Sequence, residues 1–249
     1  MMTYLANVDK DTFWGHHTWT DFAAMPEKDR TLVAVPFCGM ADWGLGHPLD
    51  CEEMVAMAVL KRAVEVCRSE VPVMVLPPLR FVLGPYPNCA FSIDPGTAYQ
   101  FVEEVVRSIH VSGFHKLVLF NSSPWNEDII NKACARDLRI KFGLQMFSIN
   151  LNGIGLDFHP VRSNSRREVQ TLATFLSGRE PEWEGSADKP IPSDGLAIGE
   201  PAHGSALVDA VSHGKALEKG PLLLESSGQH LARLFQEIHT RKPLPGGRD

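Results

Sequence analysis

The sequence predicts an α/β protein: a single doubly wound domain whose mainly parallel sheet is covered by helices on both faces. Three observations carry this expectation. Short apolar, β-branched runs alternate with longer stretches of helical period, and the links between them are short. The strand-like runs are apolar throughout, as strands buried on both faces of a parallel sheet must be. The chain also has 249 residues, 44% of them hydrophobic, enough for one sizeable core and within the usual size of one α/β domain.

The elements follow in order. Thr31-Leu-Val-Ala-Val-Pro36 reads as a buried strand stopped by Pro36 and Gly39. Glu52 to Cys67 reads as a helix with Met54, Val55, Met57, Ala58 and Leu60 on its apolar side. Val71 to Leu76 is a second strand, ended by Pro77-Pro78, and a loop rich in Gly and Pro runs on to about Gly96. The clearest helix places Ala98, Phe101, Val102, Val105, Val106 and Ile109 on one stripe, with Gly113 as its stop. Lys116–Phe120 is a strand, Glu127 to about Lys141 a helix, and Leu144–Asn150 a strand. Residues 178–200 read as a loop or lid, Leu222–Ile238 as a final amphipathic helix, and the tail beyond Lys242 as frayed. No internal repeat or second domain is visible.

Composition narrows the function. With 24 Lys and Arg against 30 Asp and Glu, the net charge is -6, and no basic stretch tracks phosphates, so nucleic acid is not an expected partner. No apolar run reaches bilayer length and no secretory signal is visible, so a membrane partner is not expected either. Five scattered cysteines without a CxxC pair read as free thiols in a reducing compartment, hence a cytoplasmic location. A small-molecule substrate is the expected partner.

In open α/β sheets ligands gather beyond the carboxyl ends of the strands. Three loops lie there. The first, Pro36 to Glu53, crowds Asp42, His47, Asp50, Glu52 and Glu53 together, and these donors suit either acid/base chemistry or a divalent metal. The plainer reading of Asp50 and Glu52 is helix capping. The second, Asn121 to Asn126, is small and polar, suited to close approach or to a capped turn, and lacks the G-x-S-x-G elbow of a serine hydrolase. The third offers Asp157, His159, Arg162 and Asn164, with Arg162 able to hold a carboxylate.

At these loops the sequence resembles the creatininase (creatinine amidohydrolase) family. The residues that carry the likeness are Thr18-Trp19, Leu32 to Gly39, Asp42-Trp-Gly44-Leu-Gly-His47 to Glu52, Ser112-Gly-Phe to Asn121, Gly199-Glu-Pro201 and Ala216-Leu-Glu-Lys-Gly220. Several weak motifs fall in the family's order over about residues 18–238, leaving 1–17 and 241–249 peripheral. The resemblance implies a creatininase-like fold, a homo-oligomer (a hexamer in the family), and hydrolysis of a small cyclic amide or lactone. Family members hold two divalent metals. Carried over, their ligand positions fall on Asp42, Gly44, Glu52 and Ser123, and on about Arg162 if His159 matches the histidine of the later motif. Both imidazoles are replaced, so a dinuclear zinc or manganese centre is not expected. A single divalent metal, if any, would sit on Asp42, Glu52 and His47. The expected catalytic residues are His47, Asp42 and Glu52, with Ser123, Asn126, Trp43, Arg162 and His159 binding substrate. The alternative is a catalytically silent paralogue acting as a binding or assembly subunit.

Overall fold

The computed structural model describes residues 11–41, 43, 47–84, 89–156, 163–178 and 213–242, without the side chains of 132, 133, 163–167 and 213. Asp42, His159, Arg162, the 178–200 loop beyond Gly178, and the tail past Lys242 lie outside these residues. Helix α1 (Trp19–Ala24) is followed by strands β1 (Leu32–Cys38) and β2 (Met40–Ala41) and by helix α2 (Cys51–Cys67). Four dipeptide strands succeed β3 (Val73–Val75): β4 (Leu79–Arg80), β5 (Val82–Leu83), β6 (Cys89–Ala90) and β7 (Ser92–Ile93). Helix α3 (Pro95–Val111) leads to β8 (Lys116–Asn121), and a π-helical stretch (Ile129–Leu138) runs into α4 (Arg139–Phe142). Then come β9 (Gln145–Asn150), α5 (Ser163–Ser177) and α6 (His213–Thr240).

The central sheet has the order β3-β1-β8-β9, with β4 continuing beside β1 where β3 has ended. All of its pairings are parallel. One core joins the sheet to α2, α5 and α6; the other joins the opposite face to α3 and the π-helical stretch. The doubly wound architecture read from the sequence is therefore what the chain adopts.

Pro36 does not end β1. Leu32 N–H donates to Pro72 O, so even-numbered residues of β1 turn their N–H groups toward β3 and β4. Partners on that side are Leu32 to Ala34 for β3 and Phe37 to Cys38 for β4. Pro36 falls in the gap between the two neighbours, where its missing donor costs no ladder bond. A proline in the middle of a central strand is thus accommodated by the break in the adjacent one.

Four other expectations change. The loop from 77 to 96 carries the short strands β4 to β7. The helix expected from Glu127 to Lys141 is π-helical from Ile129 to Leu138. Phe101 is 43% exposed in place of joining the α3 core. The last helix starts at His213 and passes through Pro221, because packing overrides the proline's lost hydrogen bond. Gly228 of α6 shows how close that packing is: a Cβ there would lie 2.4 Å from Arg62 Cγ on α2.

Candidate functional site

Glu52 opens helix α2, directly beyond the carboxyl end of β1. Its side chain turns inward and is wholly buried. Gly39 N–H donates to its Oε2 at 2.6 Å, and the Trp43 indole N–H donates to its Oε1 at 3.1 Å. Gly39 is required here: a Cβ on it would stand 2.6 Å from Glu52 Oε2, 2.8 Å from Ser123 Oγ and 2.9 Å from Val82 Cγ2. Those contacts also place Ser123, at the end of β8, against the same point. The strand-end rule thus brings Glu52, Trp43 and Ser123 together.

Burial pushes the Glu52 carboxyl up to about 7, while the Gly39 amide, the Trp43 indole and the Ser123 hydroxyl each pull it back down. The Ser123 hydroxyl is itself fully buried and has no hydrogen-bond partner of regular geometry among the described residues. Its dipole nevertheless acts on the neighbouring carboxyl. A carboxyl that is half protonated near neutrality beside an unspent hydroxyl can take or give a proton at working pH.

The main chain around Ser123 is held by amides. Asn121 Nδ2 donates to Ser123 O at 2.8 Å, and Ser123 N–H donates back to Asn121 Oδ1 at 3.1 Å. The same Asn121 Nδ2 reaches Asn150 Oδ1 on β9 at 2.8 Å. Ser122 spends its hydroxyl on Phe37 O. Between Asn121, Ser123, Asn150 and Asn152 the described residues leave about 10 Å³, roughly the room of one water.

The remaining expected residues separate. Asn126 is fully buried and its amide is spent on the main chain: Oδ1 accepts from Leu83 N–H and Nδ2 donates to Phe81 O. It staples β5 to the β8 loop. Trp43 is 2% exposed, with its indole on Glu52, its carbonyl accepting from Gln170 Nε2 on α5, and its ring edge-on to Trp125. His47 is half-buried on the turn before α2 and is not among the partners of Glu52. Asp42, Arg162 and His159 lie outside the described residues. Glu53, next to Glu52, pairs bidentately with Arg80 at 2.5 and 2.8 Å, which fixes β4 to the start of α2.

Sequence reasoning missed Gly39, Asn121, Asn150 and Gln170 as parts of this arrangement. Gly39, Asn121 and Asn150 stand at strand ends and carried a positional signal; Gln170 carried none. Among the described residues no group of three or more His, Cys, Asp or Glu side chains is placed to hold a metal ion. Nor, among them, is any helix long and apolar enough to cross a membrane.

Comparison with known proteins agrees with this fold. The family model for creatininase, described as creatinine amidohydrolase, matches residues 15–189. A crystal structure of creatinine amidohydrolase (creatininase) superposes with a TM-score of 0.69 at 19% identity, covering 94% of this chain and 100% of that one. A putative creatinine amidohydrolase from Bacteroides fragilis NCTC 9343 gives 0.67 at 17% identity, covering 94% and 99%. A creatininase mutant complexed with creatine gives 0.65 at 19% identity, covering 93% and 100%. Other creatininase structures are described as a Zn-Zn type and as a manganese form. No curated protein matches the sequence. The family match spans most of the chain, and its strand-end loops hold the Glu52 and Ser123 just described: the chain belongs to the creatininase family.

Proposed function

We propose that this protein is a hydrolase that opens a small cyclic amide or lactone with its own acid/base groups in place of a dinuclear metal centre. The observation that supports this most is the Glu52 carboxyl, raised to about 7 by burial beside the unspent Ser123 hydroxyl. Among the described residues, the donor set does not fit two zinc or manganese ions. Each Glu52 oxygen already accepts an N–H, the neighbouring side chain is a neutral hydroxyl, and Gly44 and Ser123 supply no imidazole. In this reading Glu52 holds a proton for the departing amine or alkoxide. His47 and Asp42, on the same loop, activate the attacking water. Ser123 and Trp43 border the substrate, and Arg162 and His159 hold its polar end.

All five cysteines are buried and free, which supports the cytoplasmic part of the reading; a homo-oligomer rests on the resemblance. One observation favours the second reading, a silent binding subunit: Glu52 is wholly enclosed, and a carboxyl bolted to two N–H groups also serves as a structural fastening. The deciding experiment is a hydrolysis screen on five- and six-membered lactams, cyclic ureides and lactones, run with and without a chelator. Turnover that survives chelation and falls about 10²–10⁴-fold in His47→Ala supports the acid/base hydrolase. Turnover abolished by chelation overturns the metal-independent mechanism, and no turnover on any ring establishes the silent reading.

A further inference from the structure

A second feature lies along the open edge of the sheet. Beside β9 the described residues line an open cleft of about 440 Å³, bordered by β9, the π-helical stretch and the last turns of α6. That volume suits a small organic molecule.

The cavity floor is built from polar groups that are already ordered. Asn131 reaches across from the π-helical stretch, and its Oδ1 accepts from Asn150 Nδ2 at 3.2 Å and from the Ser148 hydroxyl. Asn150 Oδ1 is taken by Asn121. The acceptors of this amide ladder are therefore occupied within the protein, and Asn131 Nδ2 is left as a donor at the cavity. A π-helical segment at such a place is itself notable, since these irregular turns recur where a side chain must be aimed at a ligand.

The walls carry charges that do not pair with each other. Arg241 stands one helical turn beyond Glu237, the spacing at which surface ions usually meet. No ion pair joins them; the Arg241 guanidinium lies over the Phe147 ring, 6.0 Å from its centroid. Glu127, which also lines the cleft, is in no ion pair among the described residues either. Between these ions the lining is apolar, with Phe147, Leu234 and Ile238. A cation and an amide donor call for a carboxylate, the two glutamates call for an ammonium, and the lining calls for a hydrocarbon body.

We propose that this cavity is a binding site for a small amino-acid zwitterion with an apolar side chain. Its carboxylate sits on Arg241 and Asn131, its ammonium faces Glu127 and Glu237, and its side chain packs on Phe147 and Leu234. Asn150 joins the site to Asn121 and so to the loop that carries Ser123, but the proposal does not depend on the hydrolase reading. The test reads binding, not turnover. Calorimetric titration with L-leucine should show saturable one-site binding, with leucinamide and N-acetyl-leucine each about tenfold or more weaker. Arg241→Gln, an exposed side chain whose loss leaves the core intact, should weaken L-leucine by a similar factor and leave leucinamide unchanged. Saturable binding with this pattern supports the site. Equal binding of the blocked derivatives, indifference to Arg241→Gln, or no saturation overturns it.

Discussion

The two ends of strand β8 bury polar groups in opposite ways. At the amino end, Lys116 is buried and its ammonium donates to the carbonyls of His239 at 2.6 Å and Arg241 at 3.2 Å. The first is a terminal carbonyl of α6, without a partner within the helix, and the second lies just past the helix end, where the helix dipole favours a cation. Burial nevertheless holds the Lys116 pKa below its ordinary value, with Arg30 adding to the effect. At the carboxyl end, Asn121 and Ser122 are similarly spent on main-chain and amide partners, while Ser123 and Glu52 are not fully balanced. A polar group whose bonds are all made fastens the fold. A buried hydroxyl left over beside a carboxyl of displaced pKa is an expense the fold does not need, and functional sites are where such expenses collect.

Substitutions at the two ends should separate these roles. The largest effect is expected at the carboxyl end, from Gly39→Ala. The added methyl would meet Glu52, Ser123 and Val82 at 2.6 to 2.9 Å, two of them polar atoms in a closed space. Stability should fall by about 3 kcal/mol, the upper range for overpacking, as read from denaturant unfolding. A loss under about 1 kcal/mol would mean that the Glu52 enclosure yields easily.

At the amino end, Lys116→Met should cost about 1–2 kcal/mol. The two helix carbonyls lose a charged donor, partly offset by the desolvation that the ammonium no longer suffers. Under the proposed function, ring-opening activity should be unchanged, because β8 places this residue at the far end from Glu52. Lost activity with an intact melting transition would show that the two ends are coupled through the strand.

The smallest effect at fixed pH belongs to Ser123→Ala, and pH makes it informative. Because the folded Glu52 pKa lies above the ordinary value of 4.5, the native state binds more protons than the unfolded chain between about 4.5 and 7. Stability should therefore be greatest on the acid side of that window and decline as pH rises to about 7, then level. Other groups aside, this one contributes a fall of up to about 3 kcal/mol. Ser123→Ala removes an unpartnered hydroxyl and should change stability by under about 0.5 kcal/mol at pH 5. It also removes one of the influences that lower the Glu52 pKa, so the decline should extend to higher pH. A pH profile of stability identical in the two proteins would show that Ser123 does not act on Glu52.

Part of this site was legible in the chain. Asp42 to Glu53 and Asn121 to Asn126 stand at strand ends, and that position marked the two loops, while the family resemblance singled out Glu52 and Ser123 within them. The same rule overreached at Asn126, whose short polar side chain in a strand-end loop looks no different from a ligand contact. Its amide is consumed by Phe81 and Leu83, residues more than forty positions away. Asn150 closes β9 as Asn121 closes β8, so the strand-end rule marked its place but not its bond to Asn121, and Gln170 sits in a helix that the sequence reading did not identify.

What the sequence determined by itself was the alternation of buried strands and helices, and hence a parallel sheet covered on both faces. Hydrophobic period is a local property that burial must satisfy, so it can be read without knowing the partners. The family likeness was legible for a related reason, since its motifs mark the strand ends that such a sheet presents. Tertiary structure decided the rest. It carried β1 through Pro36 by ending β3 beside it, carried α6 through Pro221 by packing against α2 and α5, and wound Ile129–Leu138 as a π-helix. It also set the state of Glu52, an ordinary helix-start glutamate in the sequence. Its carboxyl rises to about 7 because the packed fold shuts out water, while Gly39 and Trp43 from the β1–α2 connection and Ser123 from the loop after β8 hold it from rising further. Desolvation depends on everything that surrounds a group, and no local pattern records it.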